Sequence, residues 1–188
     1  MNPLRTTGLR VLGDVPWGRH VVVFYDRKED LLEVVVPFLA AGLASNEVCV
    51  WVIAPPITVK DAWAALREGI PALDQYRADR RIEILRSQTW YLTGDTPDLK
   101  KVERAWEAKL ADALDRSYEG LRVAASAPQM EEKHWAEFLD YEDRLNRHLT
   151  EKAMLVLCAY PLETPRARDL TRSHASIIQK QCDKWEVS

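Results

Sequence analysis

The chain has 188 residues, 47% of them hydrophobic and 29% charged, with a formal net charge of −3. Those values fit a soluble globular domain with a sizeable core, and the slight acidity offers no sequence-independent grip on nucleic acid. No apolar run approaches the roughly 20 residues that span a bilayer, and Met1-Asn-Pro-Leu-Arg5 lacks the apolar segment and cleavage site of a secretory leader. Cys49, Cys158 and Cys182 are odd in number and far apart. They read as reduced, packed thiols of a cytoplasmic protein.

Residues 1–19 carry Gly8, Gly13, Pro16 and Gly18 and read as an arm; residues 20–188 read as one domain. His20-Val-Val-Val-Phe-Tyr25 is a strand. Asp26-Arg-Lys-Glu29 follows as a capping-box pattern at the start of a helix to about Ala44, with Pro37 as a kink. Val48–Ala54 is the next strand, and Pro55-Pro56 ends it. Thr58 caps a helix to about Glu68, a looser segment runs from Ile70 to Asp79, and a strand covers Arg81–Leu85. Ser87–Leu92 reads as a loop, with a turn at Thr93-Gly-Asp95.

Thr96-Pro97-Asp98 is a helix start with Thr96 as cap. Leu99, Val102, Trp106, Leu110, Ala113 and Leu114 form the apolar face that follows. Gly120 precedes a strand at Leu121–Ala125, then come a helix from about Glu131 to His148 and a strand at Ala153–Tyr160. The tail reads as a short helix near Arg166–Ser173 and a hairpin, Ala175–Lys180 with Asp183–Val187, turning at Gln181-Cys182. Short apolar strands alternating with helices imply an α/β fold of three layers. Its sheet is mostly parallel with helices on both faces, and a β-hairpin ends it.

Ligands of open parallel sheets sit beyond the carboxyl ends of the strands. Those ends supply Tyr25, Asp26, Ala54, Thr89–Tyr91, Ser126 and Tyr160, with Trp51 and Trp90 nearby. The set is aromatic and poor in charge, which suits a small, partly apolar ligand better than a polyphosphate. The loop after the first strand has no glycine and no Lys-Ser/Thr, so it cannot cradle phosphates as a P-loop does.

Glu142 and Asn146 fall within the apolar stripe of their helix. A carboxylate there needs a partner or a proton, and Arg122 is the candidate partner. The pair reads either as a structural ion pair or as a polar anchor lining a pocket. His20 is either a strand-end cap or a ligand contact, and Cys158 either a packed thiol or a contact. Trp63 and Trp106 are core residues or a dimer face. Gly-x-Ser-x-Gly, His-x-x-x-His, Cys-x-x-Cys and Gly-x-Gly-x-x-Gly are all absent. No catalytic residue and no metal ligand is assigned, although a metal site assembled from distant histidines and cysteines stays open.

Motifs in a fixed order carry a family resemblance over about residues 17–187. They are His20-Val-Val-Val-Phe-Tyr-Asp26, Val36-Pro-Phe-Leu-Ala-Ala-Gly-Leu43, Glu47-Val-Cys-Val-Trp51, Trp90-Tyr-Leu92 and Gly120-Leu-Arg122. Further on come Trp135, Asp140-Tyr-Glu142, Leu145-Asn146, Leu157-Cys-Ala-Tyr160, His174 and Lys184-Trp-Glu-Val187. Together they resemble the MEDS family, the sensory domain of methanogen and methylotroph regulators of the DcmR type. The resemblance implies a degenerate RecA/KaiC-like fold without a P-loop, sensing small molecules such as hydrocarbon derivatives. It also implies an output through a histidine kinase or transcription regulator. The chain departs from the family pattern at Ser126-Ala-Pro-Gln-Met130 and Thr164-Pro-Arg166.

The resulting expectation is a non-catalytic cytoplasmic sensor with no cofactor, no nucleic-acid or membrane partner, and a homodimer as one assembly. His20, Tyr25, Trp51, Trp90, Tyr91, Arg122, Glu142, Cys158 and Tyr160 are the expected ligand contacts. The alternatives are a degenerate nucleotide-binding protein or weak ATPase, and a ligand-free interaction scaffold.

Overall fold

The computed structural model describes residues 3–164, 167–171, 174, 176–181 and 183–188. The arm forms a short antiparallel pair, β1 (Leu4–Thr6) and β2 (Asp14–Pro16). Next come β3 (His20–Tyr25), α1 (Lys28–Ala44), β4 (Val48–Ile53), α2 (Val59–Gly69), α3 (Leu73–Ala78) and β5 (Ile82–Arg86). A small helix α4 (Ser87–Tyr91) leads into a second antiparallel pair, β6 (Leu92–Thr93) and β7 (Thr96–Pro97). The remainder is α5 (Leu99–Asp115), β8 (Leu121–Ser126), α6 (Trp135–Leu149), β9 (Met154–Pro161), α7 (Ala167–Leu170), β10 (Ser176–Gln181) and β11 (Lys184–Val187).

Seven strands form the central sheet in the order β11-β10-β3-β9-β8-β4-β5. All neighbours are parallel except the terminal pair β10–β11. This is the expected three-layer α/β arrangement with its C-terminal hairpin. No helix among the described residues is long and apolar enough to cross a membrane.

Alternate side chains of the strands enter two separate cores, as the period of a strand requires. Val21, Val23, Trp51, Leu155 and Leu157 pack with Leu31, Phe38 and Leu39 of α1 and Leu66 of α2. On the other face Val22, Val123, Val156 and Cys158 pack with Trp106 of α5 and Phe138 and Tyr141 of α6. Both faces are covered, which explains the near-continuous apolar runs of β3, β4, β8 and β9.

Several local expectations change. Ser87–Tyr91 is a turn of helix rather than a loop, and α3 occupies the looser segment. Leu114, expected on the apolar face of α5, is 46% exposed because it falls one position past the buried stripe at Ala113. Thr96-Pro97 pairs with Leu92-Thr93 as a strand, so the cap of α5 is Asp98, whose side chain accepts from Lys101 N at 3.2 Å. The box at the start of α1 is shifted by one residue from the expected one: Arg27 N donates to Asp30 at 3.1 Å. Cys182, Arg166, Ser173 and Ala175, on which the sequence reading of the tail also drew, lie outside the described residues.

The two ends of α1 are tied down by charge. At its start, buried Asp30 accepts from Arg27 and, at 2.8 Å, from Lys180 of β10. Lys180 also reaches Glu33 at 3.0 Å, and the Trp185 indole of β11 donates to Glu33 at 3.1 Å, so the hairpin is latched to the helix. At its far end the carbonyls of Leu43 and Ser45 accept from Arg81 at 2.6 Å and Arg5 at 2.8 Å, which complements the negative end of the helix.

Arg122 is fully buried on the α1 face of β8, beside Gly42, where a Cβ would stand 2.6 Å from its Cδ. Its partner is Glu47, not Glu142: Nε donates to Oε2 at 2.6 Å and Nη2 to Oε1 at 3.0 Å, while Nη1 donates to Phe38 O at 2.9 Å. Glu142 belongs to α6, on the opposite face of the sheet, so the expected Arg122–Glu142 pair is impossible by strand parity. Arg5 of the arm completes the Glu47 carboxylate at 2.9 Å.

Removing one partner of a buried ion pair costs about 3–5 kcal/mol, whereas replacing both by apolar residues costs far less. Glu47→Ala should therefore lower stability by about that amount, and Arg122→Met with Glu47→Leu should recover much of it; urea unfolding of the three proteins measures both. The Asp30 carboxyl is held down to about 2 from 3.8, chiefly by the hydrogen bond from Lys180 and next by that from Arg27. A depressed folded value contributes stability that is present above about pH 4 and is lost as pH falls through about 2. The melting-temperature gap between the wild type and Asp30→Asn should accordingly be full at pH 5 and close toward pH 2.

Candidate functional site

The carboxyl ends of β3, β4, β8 and β9 open into a cleft of about 300 Å³. Tyr25, Ser126 and Tyr160 reach it from strand ends, and Met130 and Trp135 close it from the segment joining β8 to α6. Two reasons place it there. Parallel strands present their carboxyl ends together, and the Ala127-Pro-Gln-Met130 connection arches over them before α6 begins. Its walls are mainly aromatic and aliphatic, with Ser126, Gln129, Glu163 and Thr164 as the polar side chains.

Beneath the cleft, on the α6 side of the sheet, lies a buried polar cluster of His20, Glu142, Cys158 and His174. His20 starts β3 and Cys158 sits in β9, two residues before Tyr160 on the same face. Their strands are neighbours in register, His20 opposite Val156. Glu142 reaches in from α6 and His174 from the connection between α7 and β10. His20 Nε2 lies 3.2 Å from Cys158 Sγ, 3.2 Å from His174 Nε2 and 3.5 Å from Glu142 Oε2.

Burial sets the proton states. It pushes His20 down to about 3, with the neighbouring His174 acting in the same direction and Glu142 against it, so the ring is neutral at physiological pH. Burial, the largest influence, opposes ionisation of Glu142, but the contacts with His174, His20 and the Cys158 thiol together outweigh it and hold the carboxyl below its ordinary value. The Cys158 thiol is pushed well up, first by burial and then by the Glu142 charge, while a hydrogen bond with Tyr160 pulls the other way. Tyr160 thus touches both cluster and cleft.

The structure divides the residues singled out from sequence. Tyr25 and Tyr160 line the cleft. His20, Glu142 and Cys158 meet in the buried cluster, and His20 is fully enclosed rather than capping an exposed strand end. Trp51 and Arg122 face α1 across the sheet from that cluster. Tyr91 is buried against Phe138, their ring centroids 5.7 Å apart, and Trp90 packs on Trp106 at 4.5 Å with the rings tilted by 52°; neither Trp90 nor Tyr91 lines the cleft. Trp106 itself is buried and donates to Tyr141 Oη at 3.1 Å, a core role rather than a dimer face.

Sequence reasoning does not place His174, Met130 or Trp135 at the site. Trp135 is visible as part of an apolar helical stripe, but nothing local marks its end of the helix as the cleft. Residues 19–175 match the family model MEDS, described as "MEthanogen/methylotroph, DcmR Sensory domain". No curated protein matches the chain. With the match covering most of its length, the chain belongs to the MEDS family of sensory domains.

Proposed function

We propose that this protein is a cytoplasmic sensory module that binds a small, partly apolar molecule in the cleft at the sheet crest and performs no catalysis. The observation that carries the reading is the lining of that cleft, in which Tyr25, Met130, Trp135 and Tyr160 surround about 300 Å³ at the strand ends. That volume is at the small end of the range of about 300–1,000 Å³ for small-molecule sites. Hydrocarbon derivatives with one polar group fit its chemistry, with Ser126 as a hydroxyl partner.

The start of α1 argues against a nucleotide. A helix N-terminus after the first strand is where a phosphate would sit, and here Asp30, backed by Lys180, already supplies the anion. Only Asp26 and Arg27 separate β3 from α1, too short a connection to wrap a polyphosphate. Cys49 and Cys158 are buried free thiols, in keeping with a reducing compartment.

Output requires that the ligand favour one of two conformations. Tyr160 connects the cleft to a core that includes the segment leading into the C-terminal hairpin, a route toward a histidine kinase or transcription regulator. The test is native mass spectrometry of the purified protein, followed by thermal shifts with short alcohols, ketones and halocarbons, and with ATP and Mg²⁺. A retained small molecule, or a rise of about 2 °C or more with a panel compound that Trp135→Ala abolishes, is expected. A shift with ATP alone would favour the nucleotide reading. No retained molecule and no shift with any compound would favour a ligand-free scaffold.

A further inference from the structure

Among the described residues, the ligating atoms of His20, Glu142, Cys158 and His174 all lie within 4.8 Å of one another. They arrive from four segments, β3, α6, β9 and the connection before β10, and all are buried. A core that merely hydrogen-bonds its polar groups pairs donors with acceptors. Here the Cys158 thiol donates to Glu142 Oε1 at 4.0 Å, and His20 Nδ1 and Glu142 Oε2 are left over.

His174 Nδ1 lies 2.6 Å from the carbonyl of Leu170. A carbonyl only accepts, so Nδ1 carries a proton, and Nε2 is the ring nitrogen left facing the cluster and free to serve as a ligand atom. Glu142 Oε2, 3.2 Å from that nitrogen, is buried and has no hydrogen-bond partner among the described residues. His20 Nδ1 lacks a partner too, so neither tautomer of His20 resolves the cluster.

Four of the six edges of a coordination tetrahedron lie near their required lengths, and the thiol stands 4.0 Å from Glu142 Oε1, within a small side-chain movement of the fifth. With zinc–nitrogen bonds of about 2.0–2.1 Å and a zinc–sulfur bond of about 2.3 Å, tetrahedral edges are about 3.3 Å between nitrogens and about 3.6 Å between nitrogen and sulfur. The separations here are 3.2 Å for the two Nε2 atoms, 3.2 Å for nitrogen to sulfur and 3.2 and 3.5 Å from nitrogen to Glu142 Oε2. The Leu170 carbonyl on His174 Nδ1 is the outer contact that fixes a metal-binding tautomer.

The geometry points to a structural divalent metal site formed by His20, Glu142, Cys158 and His174, with zinc as the occupant its mixed nitrogen, sulfur and oxygen ligands select. Binding releases the thiol proton to solvent. A thiolate and a carboxylate then balance the 2+ charge of the ion, which suits a site closed to water. Four protein ligands leave no open position, so the role is to hold elements together. The ion fastens the segment before the C-terminal hairpin to β3, β9 and α6, directly below the cleft.

The full chain, stripped of metal and checked for folding by circular dichroism, is titrated with Co²⁺. The expected result is one equivalent bound, with thiolate-to-cobalt charge transfer and tetrahedral visible bands, displaced by Zn²⁺. Cys158→Ser should lose the thiolate band, Cys49→Ser should keep it, and His174→Ala or Glu142→Gln should weaken binding by at least about 100-fold, the upper limit for outer contacts. A folded wild type with no thiolate band and no rise in melting temperature on stoichiometric Zn²⁺ overturns the site. So does equal loss of the band in Cys49→Ser. Neither outcome bears on the small-molecule assays of the cleft.

Discussion

A strand covered on both faces must send successive side chains into different layers, and this constraint decides which interior each buried polar group of the sheet enters. Arg122 and Val123 are neighbours in sequence, yet one faces α1 and the other α5 and α6. The same alternation puts Cys158 and Tyr160 on one side of β9 and Leu157 and Ala159 on the other. Two chemically distinct interiors result. One contains a permanent ion pair, and the other a cluster of titratable side chains under a cleft.

The ion pair and the helix-end contacts act on the same element. Glu47 receives Arg122 from the sheet and Arg5 from the arm, and Arg81 and Arg5 cover carbonyls at the end of α1. At the beginning of the helix, Asp30 and Glu33 hold Lys180 of the hairpin. The helix therefore joins the first and last segments of the fold through charge, while its apolar face supplies the packing. For Arg122 and Glu47, both fully enclosed, leaving either member alone is expensive, whereas the exposed Glu33 end of the hairpin latch is screened by water.

Much of this architecture is legible in the sequence, for physical reasons that differ by element. The strands β3, β4, β8 and β9 announce themselves because burial on both faces leaves unbroken apolar runs. The helix α4 leaves no trace, since five residues cannot repeat a helical spacing. At Thr96-Pro-Asp98 two residues compete to cap α5, and pairing of Thr96 and Pro97 with Leu92 and Thr93 decides for Asp98. Helical periodicity finds Glu142 on a buried face but cannot say which layer the helix occupies, so its partnership with Arg122 fails. His174 joins His20 across 154 positions of sequence, a meeting set only by the order of strands around β3.

Gly42 shows how a missing side chain can shape a fold. A glycine within a helix ordinarily costs about 0.5–1 kcal/mol relative to alanine. Here the bare backbone lets the Arg122 side chain come close to the helix, with Cδ and Nε 2.6 and 2.7 Å from where a Cβ would stand. Leu39 and Leu43, on either side, are filled positions, so the arginine has a single notch to rest in. Sliding α1 along the sheet or rolling it about its axis would jam that fit. The notch thereby indexes the helix against the strands and sets how near its other end stands to the mouth of the cleft.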